Sequence, residues 1–216
     1  MDEVIKWDYE NKAHEIVDIL NDRAFDAHYA KDVNTAKELV ESLIPDGSSI
    51  AVGGSVTLRD TGILEEIIRK PKYNFIDRYN CANFDEVLDK YRQGFTSDVF
   101  VQSVNAVTKD GQLVCMDCTG NRAAAMIFGP KKVIVVMGVN KICDTLEDAI
   151  ARCRKIAPLN VRRLPHKKAL CYEDGICKGK ACKVHDRVCN NIGIVDGCFY
   201  TPGRISVIVV PEVLGY

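Results

Sequence analysis

Apolar residues near the start of the chain recur at helical steps, at Val4 and Trp7 and then at Ala13, Ile16, Leu20 and Ala24. That period marks one face of an α-helix, so residues 2–29 are predicted helical, with Val17, Ile19 and Phe25 widening the stripe. A second helix is predicted at about 33–44, capped by Asn34 or Thr35 and closed by the turn Pro45-Asp46-Gly47. Beyond it the pattern changes to short apolar runs between amphipathic ones. Strands are predicted at 49–52, 73–76, 99–101, 132–137 and 204–210. Helices are predicted at about 58–69, 83–93, 121–128 and 145–156, the last capped by Asp144 or Thr145 and followed by Pro158. Ala106-Val107-Thr108 and Leu113-Val114-Cys115-Met116, joined through Lys109-Asp110-Gly111, read as a hairpin. Residues 159–191 are polar, cysteine-rich and weakly periodic.

Strands alternating with helices predict an α/β fold: a mainly parallel sheet flanked by helices, with a long N-terminal helix. The strand runs are apolar throughout, as strands covered on both faces require. The expected organisation is an N-terminal helical segment, 1–45, and an α/β domain, 46–216, that includes a cysteine-rich segment at 171–189. The formal net charge of −1 argues against a nucleic-acid partner, apart from a local patch at Lys178, Lys180 and Lys183. No apolar run approaches the roughly 20 residues needed to span a bilayer. The acidic start Met1-Asp2-Glu3 is not followed by an apolar leader, so a cytoplasmic location is expected.

Two polar loops follow strands and open helices. In Gly53-Gly54-Ser55-Val56-Thr57 the paired glycines permit a sharp turn and close approach of a ligand. Ser55 and Thr57 add hydroxyls, Arg59 a cation, and the helix start its free amides. The same residues also serve a plain strand-to-helix turn with Ser55 or Thr57 as cap. In Asp117-Cys118-Thr119-Gly120-Asn121-Arg122 a cation opens a helix, against the helix dipole. Arg122 there implies a bound anion or an ion pair, with Asp117 as the nearby carboxylate. Both loops sit at the carboxyl ends of strands, where open α/β sheets bind ligands. The expected ligand set for a small anionic metabolite is Gly53, Gly54, Ser55, Thr57, Arg59, Thr119, Gly120, Asn121 and Arg122.

Three segments carry a family likeness: Gly53-Gly54-Ser55-Val56-Thr57-Leu58-Arg59, the stretch from Asp117-Cys118-Thr119-Gly120-Asn121-Arg122 to Gly129-Pro130-Lys131-Lys132, and the ending Gly203-Arg204-Ile205 with Glu212-Val213-Leu214-Gly215-Tyr216. They resemble the LUD-domain family of lactate-utilisation proteins, from roughly residue 10 onward. The resemblance implies a fold related to the sugar-isomerase and CoA-transferase-like group. It also implies a role in or beside a redox complex for lactate or a related organic acid, with a redox-protein subunit as partner. It names no reaction, so whether the chain is an enzyme stays open, as does association with a second copy.

Of the ten cysteines, Cys171, Cys177, Cys182 and Cys189 share one polar segment amid lysines. Such a segment buries little apolar area and needs another source of order. Four thiolates on an iron–sulfur cluster or a zinc ion would supply it, with His185 as a substitute ligand; the alternatives are buried free thiols and a chance disulfide. This makes a non-catalytic metal-binding or sensing module the alternative function. Cys118, beside a helix start, is a nucleophile candidate set against a neutral loop residue. The basic run Arg162-Arg163-Leu164-Pro165-His166-Lys167-Lys168 is either a solvated loop or, with the positive residues to Arg187, a docking face for an acidic partner. Glu212 follows the last strand, within reach of the same edge. No Ser-His-Asp order supports hydrolase chemistry.

Overall fold

The computed structural model describes residues 2–164 and 167–216. The first apolar stripe folds as α1 (Glu3–Asp22), whose N-terminal amides at Val4 and Ile5 donate to the Asp2 carboxylate. The helix stops short of 29. Ala24 takes a left-handed φ of 61°, and Asp26–Tyr29 becomes a strand, β1. Phe25 and Ala27, two apart and both buried, follow the strand period rather than the helical one. Along the chain follow α2 (Val33–Ser42), β2 (Ser49–Val52), α3 (Val56–Asp60), α4 (Ile63–Arg69), β3 (Asn74–Phe75), α5 (Phe84–Gly94) and β4 (Val99–Gln102). Next come β5 (Ala106–Thr108), β6 (Leu113–Asp117), α6 (Asn121–Ile127), β7 (Lys132–Gly138) and a single 3-10 turn at Val139–Lys141. Then β8 (Ile142–Cys143), α7 (Leu146–Arg163), β9 (Asn191–Val195) and β10 (Ile205–Val210) complete the order.

Six strands form the main sheet in the order β1-β10-β7-β4-β2-β3, every pairing parallel. A second, mixed sheet runs β8-β5-β6-β9 and contains the expected hairpin. The α/β class with a mainly parallel sheet and a long N-terminal helix is therefore what the chain adopts. One core lies between the main sheet, α1, α6 and the second sheet, around Phe100, Leu113, Met126, Val133 and Val207. The other lies under α2, α3 and α4, around Ile50, Val101, Ile134 and Ile208. Helix α7 covers the second sheet through Ala149 and Cys153 against Val114 and Met116.

Several local expectations are corrected. The helix expected over 58–69 is two, broken at Gly62, whose φ is +75°. Pro158 lies inside α7, because the buried row Cys153, Ile156, Ala157 and Val161 continues past it and packing outweighs the one amide lost. The cap of α2 is Asp32; Thr145 caps α7. β9 went unseen because its apolar residues Ile192 and Ile194 point outward and only Gly193 is buried. Among the described residues, no helix is long and apolar enough to cross a membrane.

The topology selects one place on the sheet. From β2 the chain goes to β3 on one side, and β4 lies on the other. The strand order reverses between β2 and β4, which is where open parallel sheets form a ligand crevice at the carboxyl ends. Those ends are Val52, leading into Gly53, and Gln102, leading into Ser103.

Candidate anion site at the carboxyl edge of the main sheet

Gly53 continues the β2 ladder by donating its amide to the Val101 carbonyl at 3.0 Å. It has to be glycine, since a Cβ there would sit 2.7 Å from both Cγ and Cδ of Arg122. The two loops thus meet through the Arg122 side chain lying across the Gly53 backbone. Gly54 is exposed and open, with the Arg78 guanidinium 3.7 Å from where its Cβ would be. Ser55 caps α3, its hydroxyl accepting from the Leu58 amide at 3.1 Å. Thr57 is buried and donates its hydroxyl to the Leu214 carbonyl at 3.3 Å. Arg59 is half-exposed and pairs with Asp60 at 3.1 Å.

In the second loop, Gly120 takes φ +88° and starts α6 without a side-chain cap. The Asp117 carboxylate fills that role from β6. It accepts from the amides of Arg122 at 2.6 Å and Ala123 at 3.3 Å, and it pairs with the Arg122 guanidinium at 3.4 Å. Arg122 also donates to the Met116 carbonyl at 2.6 Å and, at 3.4 Å, to the Ser103 carbonyl and the Asn105 side chain. The unfavourable cation at this helix start is thus compensated by Asp117, the carboxylate anticipated from the sequence. Thr119 donates to the Asn121 side chain at 3.0 Å, and Asn121 is buried.

Beneath the loops lies Lys141, at the end of the 3-10 turn after β7 and only 3% exposed. Its Nζ donates to the hydroxyls of Ser103 at 2.7 Å and Thr57 at 2.8 Å. Burial, then the positive charges of Arg152 and Arg122, push its pKa down to about 7. Arg152 donates to the carbonyls of Asn105 and Asn140. Gln102, fully buried at the end of β4 and packed beside Gly53, has no partner for either atom of its side-chain amide. At the rim, Arg78 stacks on Tyr79 and Tyr91, and its Nε is buried without an acceptor. Arg163, at the end of α7, is pushed down by burial and by the charges of Arg59 and Arg122, against the opposing influence of Tyr216 and Asp60, and its Nε is likewise unsatisfied. Among the described residues, no carboxylate lies within ion-pair distance of Arg78, Lys141, Arg152 or Arg163. This edge carries a surplus of positive charge.

The sequence pattern of the LUD domain matches residues 13–210. The chain belongs to the LUD-domain family. A crystal structure of a DUF162 family protein from Deinococcus radiodurans is similar to it, with TM-score 0.52 and 13% identity, covering 94% of this chain and 98% of that one. A likeness at that identity shows a shared fold. Among curated proteins, none matches the chain.

In this LUD domain the predicted residues divide by task. Gly53 and Arg122 join the loops; Ser55, Thr57, Thr119 and Asn121 spend hydrogen bonds inside the protein; Gly54 is exposed at the rim. Gln102, Lys141, Arg78 and Arg152 are absent from the ligand set expected from the sequence, and Arg163, expected there as part of a basic run, lies near Arg59 and Arg122 instead. The available signals were a glutamine closing the apolar run Val99-Phe100-Val101 and a lysine just past the apolar strand 133–137. A cleft of about 390 Å³ elsewhere, between α1 and the start of α7, is lined by Lys12 and Lys109 against Glu15, Asp144 and Asp148, and so offers an anion little.

The cysteine-rich segment lies against the end of α7, where Cys171 and Cys182 are buried with Val161 and Ala169. Cys177 and Cys189 are half-buried, and burial, then the three neighbouring thiols Cys182, Cys177 and Cys189, push the Cys171 thiol up. Arg187 gathers the group, donating to the Cys189 sulfur at 3.3 Å and to the Cys182 carbonyl at 3.1 Å. Among the described residues, no three Cys, His, Asp or Glu side chains are placed to hold one metal ion. His185 is exposed beside Asp186. Cys118 donates to the Arg187 carbonyl at 3.5 Å, and burial pushes its thiol up, opposite to what a nucleophile needs. In the basic run, Lys168 and Arg162 lie over the Tyr172 ring, while His166 and Pro165 fall outside the described residues. The Glu212 carbonyl is packed close beside Gly138.

Proposed function

We propose that this LUD domain binds a small carboxylate-bearing metabolite, a 2-hydroxy or 2-oxo acid, at the carboxyl edge between the 53–57 and 119–122 loops. The reading extends to service in or beside a redox complex that handles lactate or a related organic acid; membership in the family supports that extension. One observation carries the placement. Four cationic side chains without carboxylate partners, together with an unsatisfied buried amide, gather at the strand-order reversal. Arg78 and Arg163 are the groups suited to neutralise the carboxylate, and exposed Gly54 allows its approach. Arg122 holds the loops together. The test is ligand-induced thermal stabilisation across a panel of short organic acids, in the natural protein and in Arg78→Gln and Arg163→Gln. Stabilisation by an acid in the natural protein, weakened at least tenfold in apparent affinity by either substitution, supports the reading. No stabilisation by any acid, or equal stabilisation in the variants, overturns it.

A second reading concerns the cysteine segment, as a metal- or iron–sulfur-holding appendage. What favours it is the gathering of Cys171, Cys177, Cys182 and Cys189 in one segment around Arg187, which donates to the Cys189 sulfur. Closing a coordination shell would require the segment to rearrange. Stoichiometric iron or zinc in anaerobically prepared protein would support it. Metal-free protein with four titratable thiols in the segment would overturn it.

A further inference from the structure

We infer that Lys141 is a carbonyl-reactive amine, which condenses with the keto or aldehyde carbon of a 2-oxo acid bound at the carboxyl edge. The inference rests on the anion-binding reading above and deepens it by naming the reacting group.

The geometry is unusual for a structural lysine. Nζ is enclosed and meets two neutral hydroxyls, Ser103 from the end of β4 and Thr57 from α3. The charged and titratable groups that influence it are Arg152 from α7, Arg122 from α6 and the Cys115 thiol from β6. Asp117, the carboxylate of this region, is committed to Arg122 and to the first amides of α6. An enclosed ammonium beside two guanidiniums, with no carboxylate of its own, is poorly stabilised; the neutral amine is the form this setting favours. A neutral amine is the nucleophilic form, and lysines activated by burial and a neighbouring cation form Schiff bases with carbonyl substrates. A lysine kept only for packing would gain nothing from that environment that an apolar side chain would not supply.

The chemistry balances with the groups present. The Nζ lone pair attacks the carbonyl carbon, and the C–N bond forms as the oxygen takes a proton. The carbinolamine then loses that oxygen as water, carrying away both amine hydrogens, to leave a C=N bond. The Ser103 and Thr57 hydroxyls, already hydrogen-bonded to Nζ, are placed to pass those protons. No oxidant or reductant is needed. The guanidiniums of Arg78 and Arg163, which hydrogen-bond neutral groups and have no carboxylate partner, match the carboxylate of the same molecule, which is why a 2-oxo acid suits the edge better than a simple ketone.

Access depends on the strap formed by residues 211–216. It covers Thr57 through the Leu214 carbonyl and the close approach of Gly215, and it is tied to Asn140 by the Leu214 amide at 3.1 Å. Few hydrogen bonds hold it, so local opening without global unfolding is the expected route to the amine.

The test is reductive trapping. The intact protein is incubated with glyoxylate or pyruvate and cyanoborohydride, then mapped by peptide mass spectrometry. The expected result is a reduced adduct on Lys141 at least tenfold more abundant than on any exposed lysine. Its rate should rise through about pH 7 and then level, whereas exposed lysines keep accelerating toward about pH 10. Lys141→Met should lose the adduct, with cooperative melting reporting that the variant is folded; if it does not fold, the map of the natural protein decides alone. Adducts spread in proportion to exposure, or none on Lys141, overturn the inference. If the acid stabilises the protein without trapping, the binding reading stands and Lys141 is a structural tie between Thr57 and Ser103. If it does neither, both fall.

Discussion

Gly53 and Lys141 show how single residues set the character of this edge. A Cβ at Gly53 would enter the aliphatic part of Arg122, which is pinned by Asp117 and Met116 and cannot yield freely. Gly53→Ala should therefore cost about 1–3 kcal/mol in urea unfolding and weaken any acid bound between the loops. Lys141 gives a pH signature. Its folded pKa lies near 7 against an ordinary 10.5, so between those values the unfolded chain holds more protons than the native one. Stability should rise with pH across that window. Buried Cys115 and Cys153, raised to about 11 and about 12, oppose the trend once unfolded thiols ionise. The clean interval is thus from about pH 7 to about pH 8.5. Urea titrations should show stability climbing there in the natural protein, with the climb reduced in Lys141→Met; an identical slope in the two would refute the assignment of that proton. Glycine and arginine were readable from the sequence because a glycine pair and a cation at a helix start are local anomalies. Lys141 and Gln102 were not, because nothing near them in the chain shows that one will be enclosed by α3, α6 and α7 and the other left without a partner.

At the scale of elements, periodicity located most strands and helices, and it failed where tertiary contacts decide. β1 was absorbed into the preceding helix because Ala24 and Phe25 continue its stripe. What makes it a strand is pairing with β10, from Asp26 opposite Ser206 to Tyr29 opposite Val209. Asp26 secures that edge. Burial works against its charge, but the Ser206 hydroxyl and Lys132 hold it down to about 2. This depressed carboxylate contributes stability that is present above its ordinary value near 4 and lost as pH falls toward 2. Asp26→Asn should lower stability at neutral pH and flatten acid unfolding over that range. The strap offers a second element-scale prediction. A Cβ on Gly138 would come within 2.3 Å of the Glu212 carbonyl oxygen and 2.7 Å of the Leu214 nitrogen. Gly138→Ala should displace the strap and speed amide exchange at 212–215 relative to the β7 and β10 ladder. Unchanged exchange there would mean that the strap is held by something other than this close approach.

For the whole molecule, the alternation of strands and helices was enough to predict the parallel sheet, and the position of both loops at strand ends was enough to place them on one edge. Strand order was not readable, because it depends on which strands pair, and only that order shows the reversal between β2 and β4. The cysteine segment was conspicuous by composition, yet its packing against α7 comes from Val161 and Ala169, which carry no such signal. On the reading proposed above, the reversal point is an anion site whose affinity comes from Arg78 and Arg163. Calorimetric titration of a short 2-oxo or 2-hydroxy acid into the natural protein, Arg78→Gln, Arg163→Gln and Arg59→Gln tests it most directly. The expected result is one site per chain, a loss of about tenfold or more for Arg78→Gln and Arg163→Gln, and little change for Arg59→Gln, whose guanidinium already faces Asp60. Absence of binding in the natural protein, or equal affinity in all four, would contradict it.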